Sequence, residues 1–393
     1  MIKKIKYEIL KSYRHYYGYG YRGLKKILRR CSYHHHNMDI KLVALRTLLT
    51  MKPSIRVVDK KVENEYRSKW KRLESTVPKS FIKIYPSFTG IESPDFVPSP
   101  LFYNIIEPIL NNYTYSISFA DKNMYAKLFD TSLQPAVVLR KIHGQYLDQN
   151  YQHVEDVDGK ITHLASTEEA KFILKPAIDS RGGKKIYLLK SENGKLFLRG
   201  QIVDNDWLEK NVGDNFLIQR FVQQHPFYAR FNPSSLNTMR VYTYRSVKDD
   251  VIHVLHAMLR VGKEGSLVDN MSGGGKAIGI THEGKFKKCA NSSAGEVFSK
   301  VRDVDLSNGL DVYMFDEVQK RAKEVAATQF YSRFLGFDFC VDENDQVRLI
   351  EINNIDIGVE SIQRSNGPLF REFTDEVIDY CEKHKKGFRY TIH

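Results

Sequence analysis

Asp338, Glu351 and Asn353 are the residues whose types and spacing most clearly admit chemistry. The stretch "GFDFCVDENDQVRLIEINN" reads as two apolar strands reversing at "ENDQ", a hairpin that sets position 338 roughly opposite 351. Residues 351 and 353 then share one face, because side chains alternate along a strand. A carboxylate beside Leu349, Ile350 and Ile352 is rarely buried without a partner. None of the three residues is a cation, so the pattern predicts a metal as the partner of Glu351. Three hard oxygen donors on one face suit Mg²⁺ held between carboxylates and the phosphates of a nucleotide.

Such a hairpin needs a sheet around it, and the chain supplies one. From residue 171 onward, "KFILKPA", "KKIYLLKSENGKLFL", "NFLIQRFV" and "TMRVYTYRSVKDDVIHVLHAMLRVG" are strand candidates, two of them joined by the hairpin turn "SENG". A helix near 314–334 precedes the 338–353 hairpin, and "PLFREFTDEVIDYCEKHKKG" reads as a helix opened by Pro368 and stopped by Gly387. The class expected is α+β with largely antiparallel sheets. Upstream, "YPSFTGIESPDFVPSPLF" carries Pro86, Pro94, Pro98 and Pro100 and reads as a linker. The divisions expected are 1–95, 96–165, 166–225 and 226–393.

With 42% hydrophobic residues the 393-residue chain can build a sizeable core. No stretch reaches the roughly 18–20 uncharged apolar residues of a membrane span. Four scattered cysteines without a CxxC pair argue against a disulfide framework or a structural zinc site, and favour a cytoplasmic setting. Charge is uneven: residues 1–80 hold 21 Lys and Arg against 6 Asp and Glu. In "MIKKIKYEILKSYRHYY", Ile and Tyr recur at helical spacing among the lysines, so this basic region is expected to be mostly helical. Residues 1–30 are expected either to touch the inner face of the membrane as a peripheral contact or to pack on the domain. No RNP, KH or zinc-finger motif accompanies the charge, which argues against nucleic acid. His34, His35 and His36 are adjacent, share no face, and are not read as a metal site.

Several segments, in order, resemble the ATP-grasp superfamily. Asp338 followed by Glu351-x-Asn353 is similar to its magnesium site. "FILKPAIDSRGGKKI" resembles its phosphate segment, a strand lysine, Lys175, followed by a loop that includes Ser180, Gly182, Gly183 and Lys184. "FLIQRFVQQH" resembles the hinge strand that reads the adenine edge, here Gln219, Phe221 and Val222. "DKNMYAKLF" resembles the segment supplying a further nucleotide lysine, for which Lys122 is a better candidate than Lys127. "FVPSPLFYNIIEPILN", "LRVGKEGSLVDNMSGGGKAIGI" and "IEINNIDIGVESIQRSNGPLF" narrow the resemblance to the sugar-transfer-associated ATP-grasp family, over about 90–385. One departure is the turn after Glu-x-Asn: many ATP-grasp ligases place Pro-Gly there, and this chain has Asp356-Ile357-Gly358.

The resemblance implies two α+β subdomains clasping ATP, with ATP and Mg²⁺ as cofactors. It also implies ATP-dependent amide formation, through an acyl phosphate, between a uronic-acid carboxylate of a bacterial surface glycan, free or lipid-linked, and an amino acid or small amine. A phosphotransferase acting on a sugar hydroxyl and a non-catalytic membrane or glycan module are the alternatives. Arg240 and Arg260, each within a strand run, are candidates for transition-state or substrate-carboxylate contacts, with plain outward-facing arginines as the other reading. Asp269 and Asn270, next to Gly273–Gly275, and Gln363 and Arg364, just past the metal strand, are candidate substrate residues.

Overall fold

A computed structural model describes residues 55–167, 170–178 and 185–385. The expectations for the basic segment 1–54 and for Ser180, Gly182, Gly183 and Lys184 lie outside the described residues.

Two antiparallel sheets of seven strands each form the framework. The first comprises β1 (Val137–Ile142), β2 (Gln145–Leu147), β3 (Lys171–Pro176), β4 (Tyr187–Glu192), β5 (Lys195–Leu198), β6 (Gln201–Ile202) and β7 (Phe216–Arg220). Their order is β2-β1-β7-β3-β4-β5-β6. The β4–β5 reversal uses Asn193 and Gly194, at φ 49° and 73°, the left-handed pair that a tight hairpin requires. One face of this sheet packs on the helices Val157–Thr167 and Asn205–Asn211 through Phe172, Leu174, Phe216 and Ile218. The other face presents Ile173, Lys175 and Gln219 to a cavity.

The second sheet contains β8 (Thr238–Arg245), β9 (Ile252–Val261), β10 (Lys276–Ile280), β11 (Phe286–Ser292) and β12 (Val297–Phe298). A small ribbon, β13 (Lys300–Val301) with β14 (Val304–Asp305), stands apart. The sheet is completed by β15 (Phe334–Val341) and β16 (Val347–Asn353), in the order β12-β11-β10-β9-β8-β15-β16. Every residue of β15 is buried, as expected of a strand covered on both faces. Met239, Val241, Phe337, Phe339 and Ile352 face the helix Phe315–Ala327. Tyr242, Tyr244 and Leu255 face a helical layer on the opposite side.

That helical layer corrects the expected divisions. The helix Lys60–Lys71 is capped by Asp59, which accepts from the Lys61 N–H, and has Lys69 and Lys71 in its last turn, where they oppose the helix dipole. Its Tyr66 and Trp70 are fully buried with Phe96, Val97, Phe102, Ile362, Phe370 and Ile378. Pro86 lies inside the helix Phe81–Thr89, which ends at Gly90 with φ 71°. The proline-rich stretch is therefore a packed part of the second unit and not a linker, because the apolar residues between its prolines enter the core. The expected boundary at 165/166 likewise runs through a sheet, since β1 pairs with β7. Among the described residues, no helix is long and apolar enough to cross a membrane.

Candidate active site

A cavity of about 940 Å³ lies between the inner face of the first sheet and the β8–β15–β16 end of the second. Strand register builds its polar floor. Arg240 opposes Asp338 across β8–β15, and Asp338 opposes Glu351 across β15–β16, so three charged side chains form one row. The next row is Tyr242, Gly336 and Asn353. Gly336 is closely approached: a Cβ there would lie 3.2 Å from the Ile357 side chain, which would have to give by a few tenths of an ångström, and 3.5 Å from Arg240.

Asp338 is held by two arginines. Arg240 donates through Nε and Nη2 to both carboxylate oxygens at 2.5 and 2.6 Å, and Arg260 donates through Nη1 at 2.8 Å. Burial pushes the carboxyl toward protonation, but the two guanidinium groups outweigh it and hold its pKa at about 2. Arg260 also lies 3.2 Å from Asp269, which accepts the Thr238 backbone N–H and hydroxyl. Asp269 thus fixes Arg260, a different use from the substrate contact expected of it, although both Asp269 and Asn270 line the cavity.

Glu351 accepts from Lys122 Nζ at 2.8 Å. Burial opposes its ionisation, and the Lys122 charge outweighs that to lower its pKa. The expectation that Glu351 is buried because its partner is a metal did not include a protein cation, and Lys122 supplies one, from an element 229 residues away. Lys122 sits on a short helical turn, Lys122–Met124, capped by Asp121, and its own N–H donates to Ala177 O just past β3. Arg140 and Tyr151 both donate to the Asn123 carbonyl, fixing that turn from the far side. Lys175, on β3, is 5% exposed, and burial with Lys122 as a like charge lowers its pKa to about 7 against a pull from Glu351.

The donor set fits a divalent cation. Asp338 and Glu351 are both held ionised and sit side by side, and Asn353 is the neighbour of Glu351 on the same face. Among the described residues no three His, Cys, Asp or Glu side chains cluster as a metal site, so the set depends on the asparagine amide. Gln219, Phe221 and Val222 also line the cavity, with the Phe221 N–H donating to Lys171 O.

Gln363 and Arg364 do not join the others. Gln363 is fully buried, and its amide both accepts from and donates to the Val97 backbone at 2.8 and 3.1 Å. Arg364 donates to Ser293 O and lies over the Phe88 ring. They belong to the helix Glu360–Asn366, whose inward face packs on the helical layer. Closeness in sequence to β16 does not carry over to the cavity.

Sequence reasoning missed Asp121, Thr238 and Asp356, all of which line the cavity. Thr238 was findable, two residues before Arg240 on the same strand face. Asp121 carried the signal of a capping residue before a helical turn.

A model of the sugar-transfer associated ATP-grasp family matches residues 105–377. The chain belongs to this family. The match covers the turn of Lys122, both sheets and the Asp338–Asn353 hairpin. Among solved structures the chain is similar to the ATP-grasp ligase PsnB complexed with precursor peptide PsnA2 and AMPPNP. That similarity is 14% identity over 68% of this chain and 61% of that one, with a TM-score of 0.37. D-alanyl-alanine synthetase A from Vibrio cholerae O1 biovar eltor shows 11% identity over 68% and 66% of the two chains, with a TM-score of 0.36. N5-carboxyaminoimidazole ribonucleotide synthetase from Thermotoga maritima shows 11% identity over 77% and 56%, with a TM-score of 0.33. The chain thus spans about 61% of the length of the PsnB ligase it matches. No curated protein matches it.

Proposed function

We propose that this ATP-grasp protein is an ATP-dependent ligase that joins a carboxylate, on a uronic acid of a surface glycan, to an amine. The observation that carries the reading is one cavity in which Lys122 and Lys175 meet Asp338, Glu351 and Asn353, with Arg240 and Arg260 beside them. Phosphoryl transfer to a carboxylate brings two anions together, and such a reaction needs positive charge that is already oriented. Lys122 and Lys175 would hold phosphate oxygens, and the N–H groups of Arg240 and Arg260 not given to Asp338 and Asp269 would face the developing charge. Asp338, Glu351 and Asn353 would hold Mg²⁺, which when bound neutralises and aligns phosphate oxygens.

In the balanced reaction a carboxylate oxygen attacks the γ-phosphorus and ADP leaves. The amine nitrogen then attacks the acyl carbon, the C–O bond to phosphate breaks, and the nitrogen loses its proton. Hydroxylamine intercepts the acyl phosphate whatever the natural amine. Incubation with Mg-ATP, hydroxylamine and a panel of uronic-acid glycans is expected to give a hydroxamate with wild type and none with Glu351→Gln. A phosphorylated glycan without hydroxamate would replace this reading with phosphotransfer to a hydroxyl.

A further inference from the structure

The two carboxylates of the floor are neutralised by different kinds of cation. Asp338 is gripped by Arg240 and Arg260, which stand on neighbouring strands, β8 and β9, of its own sheet. Glu351 is met by Lys122, from a turn tied to the other sheet. An arginine fork is planar and lies fixed once its prongs are used, whereas a lysine carries a point charge on a flexible four-carbon stem. The Asp338 pairing is rigid at both ends. The Glu351 pairing can change partner by side-chain rotation alone.

The backbone on either side of the Lys122–Glu351 pair is held still. The Lys122 N–H donates to Ala177 O, and Arg140 and Tyr151 donate to the Asn123 carbonyl. The Tyr125 hydroxyl accepts the Ile352 N–H at 2.8 Å, so the turn is fastened to β16 next to Glu351. With both backbones fixed, a change of partner falls to the lysine side chain. Lys175 lines the same cavity, and its pKa registers both members of the pair: burial and then the Lys122 charge lower it to about 7, while Glu351 pulls it up. Lys122, Lys175 and Glu351 thus form one electrostatic cluster, and a phosphate drawn to Lys175 competes with Glu351 for Lys122. A buried carboxylate that loses its cation is strongly disfavoured unless another cation arrives.

We infer that Lys122 is a placeholder for the metal at Glu351: without nucleotide its ammonium neutralises the carboxylate, and on nucleotide binding it passes to a phosphate oxygen and leaves Glu351 to a divalent cation. The inference rests on the proposed nucleotide and metal sites and adds a regulation of that same cavity. A metal ion alone meets a Glu351 that already has a counter-charge. A nucleotide alone must draw that counter-charge away. Each ligand therefore binds well only with the other, and such a coupling is reciprocal. The cavity favours the metal–nucleotide complex over either component.

The test measures binding of AMPPNP, a non-hydrolysable ATP analogue, to the full chain by titration calorimetry, once with Mg²⁺ and once with EDTA. Glu351→Gln keeps the side-chain shape and removes the charge that engages Lys122. It is expected to bind metal-free AMPPNP roughly tenfold more tightly than wild type, because Lys122 no longer has to leave a carboxylate. The same variant is expected to bind Mg-AMPPNP more weakly. A bare loss of negative charge would give the first gain whatever stands at position 122, so a double-mutant cycle with Lys122→Met decides. In that background most of the gain from Glu351→Gln is expected to disappear. Lys122→Gln, whose amide can still donate to Glu351, serves in the same cycle should Lys122→Met not fold. A gain of the same size in that background, or no gain in Glu351→Gln, overturns the inference and leaves the nucleotide site standing. Wild type that binds no Mg-AMPPNP removes the nucleotide site, and this inference with it.

Discussion

Burial of Lys175 makes a quantitative demand on nucleotide binding. Burial and the nearby Lys122 charge bring its pKa from 10.5 to about 7, so holding the ammonium in place costs roughly 5 kcal/mol. The unfolded chain keeps the proton up to its ordinary value, whereas the native chain keeps it only below about 7. This group's contribution to stability is therefore least favourable below that value and improves as pH rises toward 10.5. In the proposed role a phosphate beside Lys175 would restore its charge, and binding would then draw a proton from solvent. Near pH 8 most of the free protein carries a neutral Lys175, and binding should take up a large fraction of a proton; near pH 6 uptake should be much smaller. Titration calorimetry of Mg-ATP in two buffers of different ionisation enthalpy reads this number directly. Lys175→Met is expected to abolish the uptake and to weaken binding. A binding enthalpy independent of buffer near pH 8, or undiminished uptake in Lys175→Met, would refute the argument that a phosphate recharges this lysine.

Three further outcomes follow from named contacts. Asp338→Asn leaves Arg240 buried without its carboxylate and Arg260 with Asp269 alone, and is expected to destabilise the fold by about 3–5 kcal/mol in urea unfolding. Because wild-type Asp338 is held at about 2, its contribution is full above pH 3.8 and fades as pH falls through about 2, so the gap between wild type and Asp338→Asn should narrow in acid. Arg240→Lys keeps the charge but loses the two-pronged grip on Asp338, and hydroxamate formation should drop by about 10²–10³-fold with the fold intact by circular dichroism. Trp70→Ala should cost about 3–5 kcal/mol and lower the midpoint of a single unfolding transition, since Trp70 is fully buried among residues of the C-terminal helices.

The hairpin pairing of residue 338 with 351 was legible because it depends only on alternation and a short turn, and the register agrees. The strands β3–β5 and β7–β9 were legible for the same reason, whereas β10, β11 and β12 were not read as strands. The cations opposite Asp338 and Glu351 were not. Arg240 and Arg260 lie 98 and 78 residues from Asp338, on strands whose order in the sheet no local pattern encodes. Lys122 lies further still and arrives on a turn anchored to the other sheet. The proline-rich stretch misled because Pro86 sits within a helix and Phe96 and Val97 are buried, so turn-forming composition concealed core residues. Gln363 and Arg364 misled because a helix begins at Glu360, and its orientation depends on packing against the 81–110 region.

The charges of the floor also constrain how it can work. Asp338 uses both oxygens on arginines, and Arg260 spends its remaining prong near Asp269, so each guanidinium is fixed in plane before any substrate arrives. An arginine held this way has lost its rotamer freedom in advance, and in the proposed reaction its unspent N–H groups would act on developing charge without reorganisation. The carboxylates are then positioning groups for the arginines as much as they are oxygen donors. Asp338 and Arg240 should consequently behave as one unit: once Asp338→Asn has loosened Arg240, little orientation is left for Arg240→Lys to remove. The double variant should therefore lose much less activity than the product of the two single losses. Fully multiplicative losses would mean that Arg240 acts without the help of Asp338, and the paired geometry of the floor would then be a matter of folding alone.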